Sequence, residues 1–329
     1  MKSIIVLSND EVSISQNNFS SDYNDTVNIL ESLDQKYNVK ILSRRSKTKK
    51  NFSFKFINNL EFLDDNCFND KTKLLMISIT IRNFFNFFKL NLKKRNIVNY
   101  VLLRSDGYKE YYHNYSWLGY FIYHLMFSYL KSTTNIISVS NNFTNLKQIK
   151  TIEPSELDRD WFKNKKTPNL KKPKLLYLGR FRKEKGIYSL LKLFKQIKLK
   201  SVLTLAGDII RLNNLSKNII ILGKINSKKK LIKIYDEHNI FILPSFTEGS
   251  PKVIKESLAR LRPVIVFNEI RHVSRKYKGI YVCERSSDKL KKKIEYILKN
   301  YKKIQIKMKK NILASKKDFQ NKLIKSINE

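Results

Sequence analysis

Two short stretches concentrate residues suited to an anionic, hydroxyl-rich ligand. The first is Tyr177-Leu178-Gly179-Arg180-Phe181-Arg182-Lys183-Glu184-Lys185-Gly186. Gly179 lets the backbone turn close to a ligand. A helix opening here offers free amides carrying roughly half a positive charge, and Arg180 and Lys185 add two cations. That combination suits a diphosphate. The second is Pro244-Ser245-Phe246-Thr247-Glu248-Gly249-Ser250-Pro251-Lys252-Val253-Ile254-Lys255-Glu256. Gly249 and Ser250 can present backbone amides to an anion, and Pro251 fits a first helical turn, where its missing amide costs nothing. Glu248 and Glu256 are pure acceptors, which suits sugar or ribose hydroxyls, and Glu256 falls about a turn and a half into the helix. Singly, each residue also reads as a solvated lysine, an ordinary cap or a surface glutamate. The second string as a whole is poorly explained that way.

Such residues act only if something holds them together, and in open α/β sheets ligands bind outside the carboxyl ends of the strands. Apolar runs predict strands at 4–7, 39–42, 74–77, 100–103 and 136–139, with helical spacing over 22–36 and a mostly buried helix over 115–131. The alternation resumes with strands at 175–178, 202–205, 219–222, 240–243 and 264–267 and helices at 187–197, 228–235 and 251–261. Strand, helix, strand, repeated, means an α/β chain with parallel sheets. Prolines and lysines replace periodicity near 163–173, so the expected division is a first domain over 1–160, a linker over 161–173 and a second domain over 174–329. From 286 onward, lysine-rich terminal helices are expected.

The 329 residues imply about two domains, and 42% apolar residues with 12% aromatics exclude wholesale disorder. Only Cys67 and Cys283 are present, too few for a disulfide framework or a cysteine-rich zinc site, and a reducing cytoplasm fits best. The amino terminus reads as a buried strand rather than a signal peptide, and no run reaches the ~18–20 apolar residues that cross a bilayer. A net charge of +38 draws polyanions: nucleic acid, an anionic membrane surface or phosphorylated substrates. Abundant Asn and Ile with only 8 Gly suggest an AT-rich coding sequence, a compositional source for part of the lysine excess. Without zinc-finger spacing, an RNP-like motif or an arginine-rich tail, the sequence disfavours nucleic acid.

The pattern Gly-Arg-x4-Lys-Gly followed by Pro-Ser-x2-Glu-Gly-x-Pro-x4-Glu resembles the retaining family 4 (group 1) glycosyltransferases of the GT-B fold. Leu205-Ala206-Gly207-Asp208 and Ile221-Leu222-Gly223 are similar to the same carboxy-terminal pattern, so the likeness runs over about residues 173 to 268. Leu103-Arg104-Ser105-Asp106-Gly107 and Ile137-Ser138-Val139-Ser140 resemble the amino-terminal domain more weakly. The resemblance implies two Rossmann-like domains whose parallel sheets face across a cleft, an acceptor domain first and a nucleotide-sugar donor domain second. It implies transfer from a nucleotide-diphosphate sugar to a cell-surface glycan or a lipid-linked acceptor, with no cofactor and no metal. Arg180 and Lys185 would hold the pyrophosphate, Glu256 the ribose, and Glu248 with the Gly249 and Ser250 amides the sugar. Gly179 and Gly207 would lie in the donor site, and Arg104, Asp106 and His113 on the acceptor side. Retention would follow from same-face attack, with the donor phosphate taking the acceptor proton. The competing reading is a catalytically idle basic protein that binds nucleic acid or another polyanion.

Two departures stand out. Ser8-Asn9-Asp10-Glu11-Val12-Ser13 carries no glycine where the family has a glycine-rich loop, and Leu261 replaces the usual glycine of Ala-x-Gly-x-Pro, which bears on a helix end. Separately, residues 81–95 combine four phenylalanines with a basic end. They fit either a crossover helix packed on the sheet or, with the overall charge, peripheral docking to an anionic membrane on the cytoplasmic face.

Overall fold

Short runs of Ile, Val and Leu become strands because a parallel sheet covered on both faces buries every residue of the strand. Ile4 to Leu7, Leu74 to Ile77 and Ile240 to Leu243 accordingly have almost no solvent contact. The structure, a computed structural model, describes residues 2–15, 18–21, 23–46, 52–53, 61–62, 72–93, 97–140, 143, 149–197, 199–207, 216–225 and 227–328. Cys67, Lys94, Arg95 and Asp208 lie outside the described residues.

The chain divides into unit 1, residues 1–154 with 316–329, and unit 2, residues 155–315. In unit 1 the strands are β1 (Lys2–Ser15), β2 (Asn18–Ser21), β3 (Tyr37–Arg45), β4 (Phe52–Ser53), β5 (Glu61–Phe62), β6 (Lys73–Ile77), β7 (Val98–Leu103), β8 (Asn135–Ser138) and β9 (Lys150–Thr151). Its helices include α1 (Asn24–Asp34), α2 (Ile81–Lys93) and α3 (Gly107–Thr133). The parallel strands run in the order β5-β3-β1-β6-β7-β8-β9; β2 adds antiparallel to the far end of β1, and β4 adds antiparallel to β2. Unit 2 contains β10 (Lys174–Leu178), α4 (Ile187–Gln196), β11 (Val202–Ala206), β12 (Ile219–Ile221), α5 (Lys228–Glu237), β13 (Ile240–Leu243), α6 (Lys252–Ala259), β14 (Val264–Phe267), β15 (Ile280–Cys283), α7 (Ser287–Lys299) and α8 (Tyr301–Met308). Among the described residues its six strands are all parallel, in the order β12-β11-β10-β13-β14-β15.

Several expectations need correction. Residues 8–13 are no loop: β1 runs on through them, with a register shift against β3 between Leu7 and Glu11, so a glycine-rich turn has no place here. The helix over 115–131 starts earlier, at Gly107, kinks at Ser116 (φ 56°, ψ −147°) and is not mostly buried: Trp117 is 72% exposed. β15 is not among the expected strands although Ile280 to Cys283 is a short apolar run, and three of its four residues are only half-buried. The last helix, α9 (Lys316–Asn328), belongs to unit 1, where Phe319, Leu323 and Ile327 join the core and Lys316 pairs with Glu31 at 2.7 Å.

The segment expected as a linker is packed into unit 2. Trp161 is 1% exposed, and two buried arginines satisfy the backbone that follows. Arg260 donates to the carbonyls of Trp161 (3.0 Å), Lys163 (2.7 Å) and Asn164 (3.0 Å), and its guanidinium grips Asp236 at 2.9 and 2.6 Å. Arg262 donates to Lys166 O at 2.8 Å and to Tyr235 O at 2.8 Å. These carbonyls need partners when buried, and charged side chains supply them, which a search for apolar periodicity cannot detect. Between the arginines, Leu261 takes the left-handed conformation (φ 57°) that glycine would adopt without strain. Arg260→Met keeps the stem's packing but strips three carbonyls of their donor and leaves Asp236 with only the Arg262 guanidinium at 3.5 Å. It is expected to cost about 3–5 kcal/mol in unit 2 stability, read from urea denaturation; a loss below about 1 kcal/mol would contradict this account.

Candidate functional site

In unit 2 the strand order reverses between β10 and β13, which makes the crevice outside their carboxyl ends the topological switch point. The two chemistry-bearing strings leave these two strands, and the fold brings them into contact. Gly186 sits at φ +68°, and a Cβ there would lie 1.9 Å from Pro244 O. Phe246 N donates to Glu184 O at 2.9 Å. Lys185 Nζ reaches Glu248 Oε1 at 2.7 Å, and Ser245 Oγ donates to the same oxygen at 2.7 Å. Glu248 Oε2 has no hydrogen-bond partner among the described residues, and an ammonium has three donors, so both groups keep capacity for a ligand. His272 Nε2 donates to Glu248 O at 3.0 Å, fixing the loop from its other side.

The remaining expected residues fall as follows. Arg180 is exposed, its side chain has no partner among the described residues, and its carbonyl accepts from Tyr177 Oη at 2.8 Å. The N–H groups of Gly249 and Ser250 likewise have no partner there, just ahead of α6. Gly179 turns the chain after β10, its N–H bonded to Ala206 O at 3.0 Å. Gly207 has a packing reason, since a Cβ there would lie 1.9 Å from Gly179 O. Glu256 is only 7% exposed on α6, and Oε2 accepts from Tyr235 Oη at 3.0 Å. Burial raises its pKa from the ordinary 4.5 to about 7, against the attraction of Lys252.

Sequence reasoning missed Arg285. It follows β15, donates to Pro244 O (3.0 Å), Ser189 Oγ (3.2 Å) and Glu269 Oε1 (2.7 Å), and lies over the rings of Phe246 (4.1 Å) and Phe267 (4.4 Å). A cation over two rings is a firm anchor for the Pro244–Phe246 turn. An isolated arginine after an unrecognised strand carried no signal.

Unit 1 gathers a polar cluster at its own switch point, between β1 and β6. Arg104 donates to Ser78 Oγ (2.9 Å), Asp10 Oδ2 (3.2 Å) and Thr26 Oγ1 (3.3 Å), and Thr26 also bonds Asp10. Asp10, 7% exposed, was the missed partner. Ser78 holds φ 64°, fixed by Asn83 Nδ2 on its carbonyl at 3.1 Å. Asp106 instead caps α3, accepting from Lys109 N at 3.2 Å and pairing with Lys109 Nζ at 3.1 Å. His113 is exposed on α3, and among the described residues no hydrogen bond or ion pair joins it to Arg104.

Residues 158–314 match the family described as glycosyl transferases group 1. The matched segment is nearly all of unit 2 and contains the Lys185–Glu248 site. Solved structures similar to the chain are GT-B glycosyltransferases, and the fold is GT-B. Sucrose-phosphate synthase from Thermosynechococcus elongatus is 14% identical, covering 99% of this chain and 95% of that one at a TM-score of 0.69. HepE of Anabaena in complex with UDP and glucose is 10% identical over 100% of both chains, TM-score 0.70. WaaG, a glycosyltransferase involved in lipopolysaccharide biosynthesis, is 10% identical, covering 98% and 95% of the two chains at 0.61. No curated protein sequence matches the chain significantly.

The raised Glu256 pKa has a definite pH consequence. The folded carboxyl holds its proton up to about pH 7 while the unfolded one releases it near 4.5, so its share of stability is present below 4.5 and lost as pH rises to about 7. Glu256→Gln, neutral throughout, should therefore gain on the wild type by about 3 kcal/mol between those limits. Melting temperatures of both proteins across that window check this; a constant difference would contradict it.

Proposed function

We propose that the protein is a retaining glycosyltransferase that takes a sugar from a nucleotide-diphosphate donor bound in unit 2 and passes it to a cell-surface glycan or lipid-linked acceptor. The observation that carries this reading is the Lys185–Glu248 pair at the β10/β13 switch point, inside the segment that matches the transferase family. UDP is the first donor base to test, because the similar HepE was solved with UDP. The similarity to WaaG, a glycosyltransferase involved in lipopolysaccharide biosynthesis, supports a glycan or lipid-linked acceptor.

In the proposed reaction Lys185 and Arg180 face the diphosphate, joined by the Gly249 and Ser250 amides. Glu248 Oε2 accepts from sugar hydroxyls, and Glu256 accepts from the ribose. The anomeric carbon–oxygen bond to the diphosphate breaks while the acceptor oxygen bonds the same face of that carbon, and a donor phosphate oxygen takes the acceptor proton. Fixed positive charge at the leaving group lowers the barrier without a divalent metal: one unit-charge pair at 4 Å contributes roughly 4 kcal/mol before desolvation. Arg104, steered by Asp10, Thr26 and Ser78, is the group of unit 1 proposed to meet the acceptor.

Thermal shift across UDP, GDP and ADP at near-physiological salt tests the donor site. One nucleotide at a hundred times its Kd should add roughly 2.7 kcal/mol of apparent stability. Lys185→Met should weaken that nucleotide on the order of tenfold to a hundredfold. If every polyanion shifts the melt alike and salt removes the effect, the idle polyanion binder takes its place. Sugar transfer should persist in EDTA, and loss of turnover restored by a divalent cation would overturn the metal-free mechanism.

A further inference from the structure

The α2–α3 side of unit 1 carries an exposed apolar stripe. Trp117 is 72% exposed, Phe121 53% and Leu125 54%, spaced one helical turn apart along α3. The stripe reaches Tyr129, whose ring meets Phe88 of α2 at 6.0 Å, and Phe85 next to it is 66% exposed. The helices therefore share one face. Their buried sides, through Phe87, Leu90, Tyr123, Met126 and Leu130, are what hold them on the sheet, so the outer residues are surplus to the core. Contiguous apolar surface of this kind marks an interaction site.

Charge selects the occupant. Between Asp70 and Asp106, and again between Glu110 and Glu153, the sequence contains no Asp or Glu, while Arg82, Lys89 and Lys131 lie on the two helices. A second copy seated on this face would set cations against cations. Nucleic acid would satisfy the cations but leave Leu125 and Phe121 poorly covered. An anionic bilayer interface satisfies both: aromatic and aliphatic groups enter the headgroup boundary, and lysines meet lipid phosphates. Among the described residues no helix is long and apolar enough to cross a membrane, so contact here is lateral.

We propose that the α2–α3 face is a docking surface for an anionic lipid bilayer, with Phe85, Trp117, Phe121 and Leu125 inserted and Lys89 and Lys131 at the headgroups. This deepens the lipid-linked branch of the function proposed above and rests on that reading for its purpose.

The test uses the full chain with vesicles of phosphatidylcholine alone or mixed with phosphatidylglycerol, at near-physiological salt. The chain has two tryptophans, and Trp161 is buried at 1% exposure, so Trp117 reports insertion. Flotation is expected with the anionic vesicles and roughly tenfold or more weaker without them. Tryptophan emission should shift to the blue and be quenched by brominated acyl chains, and Trp117→Phe should remove the quenching. The double variant Phe121→Ser with Leu125→Ser should partition at least roughly tenfold more weakly while keeping its nucleotide-induced thermal shift. Three results would overturn the proposal: no flotation with anionic vesicles, flotation without quenching, or a concentration-dependent dimer that the double variant abolishes. Vesicle binding intact in a wild type that no nucleotide stabilises would instead sink the donor reading and leave the docking face standing.

Discussion

The candidate site of unit 2 depends on one close approach, the bare Cα of Gly186 against the carbonyl of Pro244. No side chain fits there, and the backbone is already left-handed. Because the two turns touch at that point, Phe246 N can bond Glu184 O, and Lys185 on one turn can reach Glu248 on the other. Arg285 closes the arrangement from behind by holding the Pro244 carbonyl and the Phe246 ring together. A charge pair between loops would ordinarily be weak and mobile. Here both partners are mostly buried and the loops are pinned, which leaves the ammonium and the carboxylate aimed at one place.

Unit 1 meets the same topological situation with different means. Its strand order also reverses at its first strand, but β1 does not turn back there; it continues and takes on β2 as an antiparallel neighbour. Asp10 thereby projects from a strand rather than from a loop. The price of an ordered cluster is local strain at Ser78, which is held at positive φ by Asn83 while its hydroxyl receives Arg104. A polar cluster so thoroughly tied together orients one guanidinium, and Arg104 keeps a quarter of its side chain open to solvent.

The sequence made the strands legible wherever burial on both faces forced an apolar run, as at β6, β13 and β14. It also made the two strings that meet at the candidate site of unit 2 legible, since glycine, proline and carboxylates at those positions have few other uses together. What it hid was satisfied polarity. The segment after Trp161 looks like a linker because its carbonyls are answered by Arg260 and Arg262, residues nearly a hundred positions away. Asp10, Ser78 and Arg285 were hidden for the same reason: each matters through a partner that is distant in sequence. At Asp106 a helix cap and an acceptor-site carboxylate share one local signature, and the structure shows the cap through its Lys109 contacts.

Glu256 gives the strongest internal argument that unit 2 is built for a ligand. A carboxyl almost without solvent, held by one phenol, is a net loss to the fold above neutral pH. A core selected only for stability would place an amide or an aliphatic side chain on that turn of α6. Lys252 lies close enough to pull the carboxyl toward ionisation, yet it is already engaged with Glu156. The fold therefore leaves the carboxylate short of donors near the end of a pinned loop. A hydroxyl-bearing ligand would supply them, and the stability forgone in the empty protein would return as affinity for that ligand.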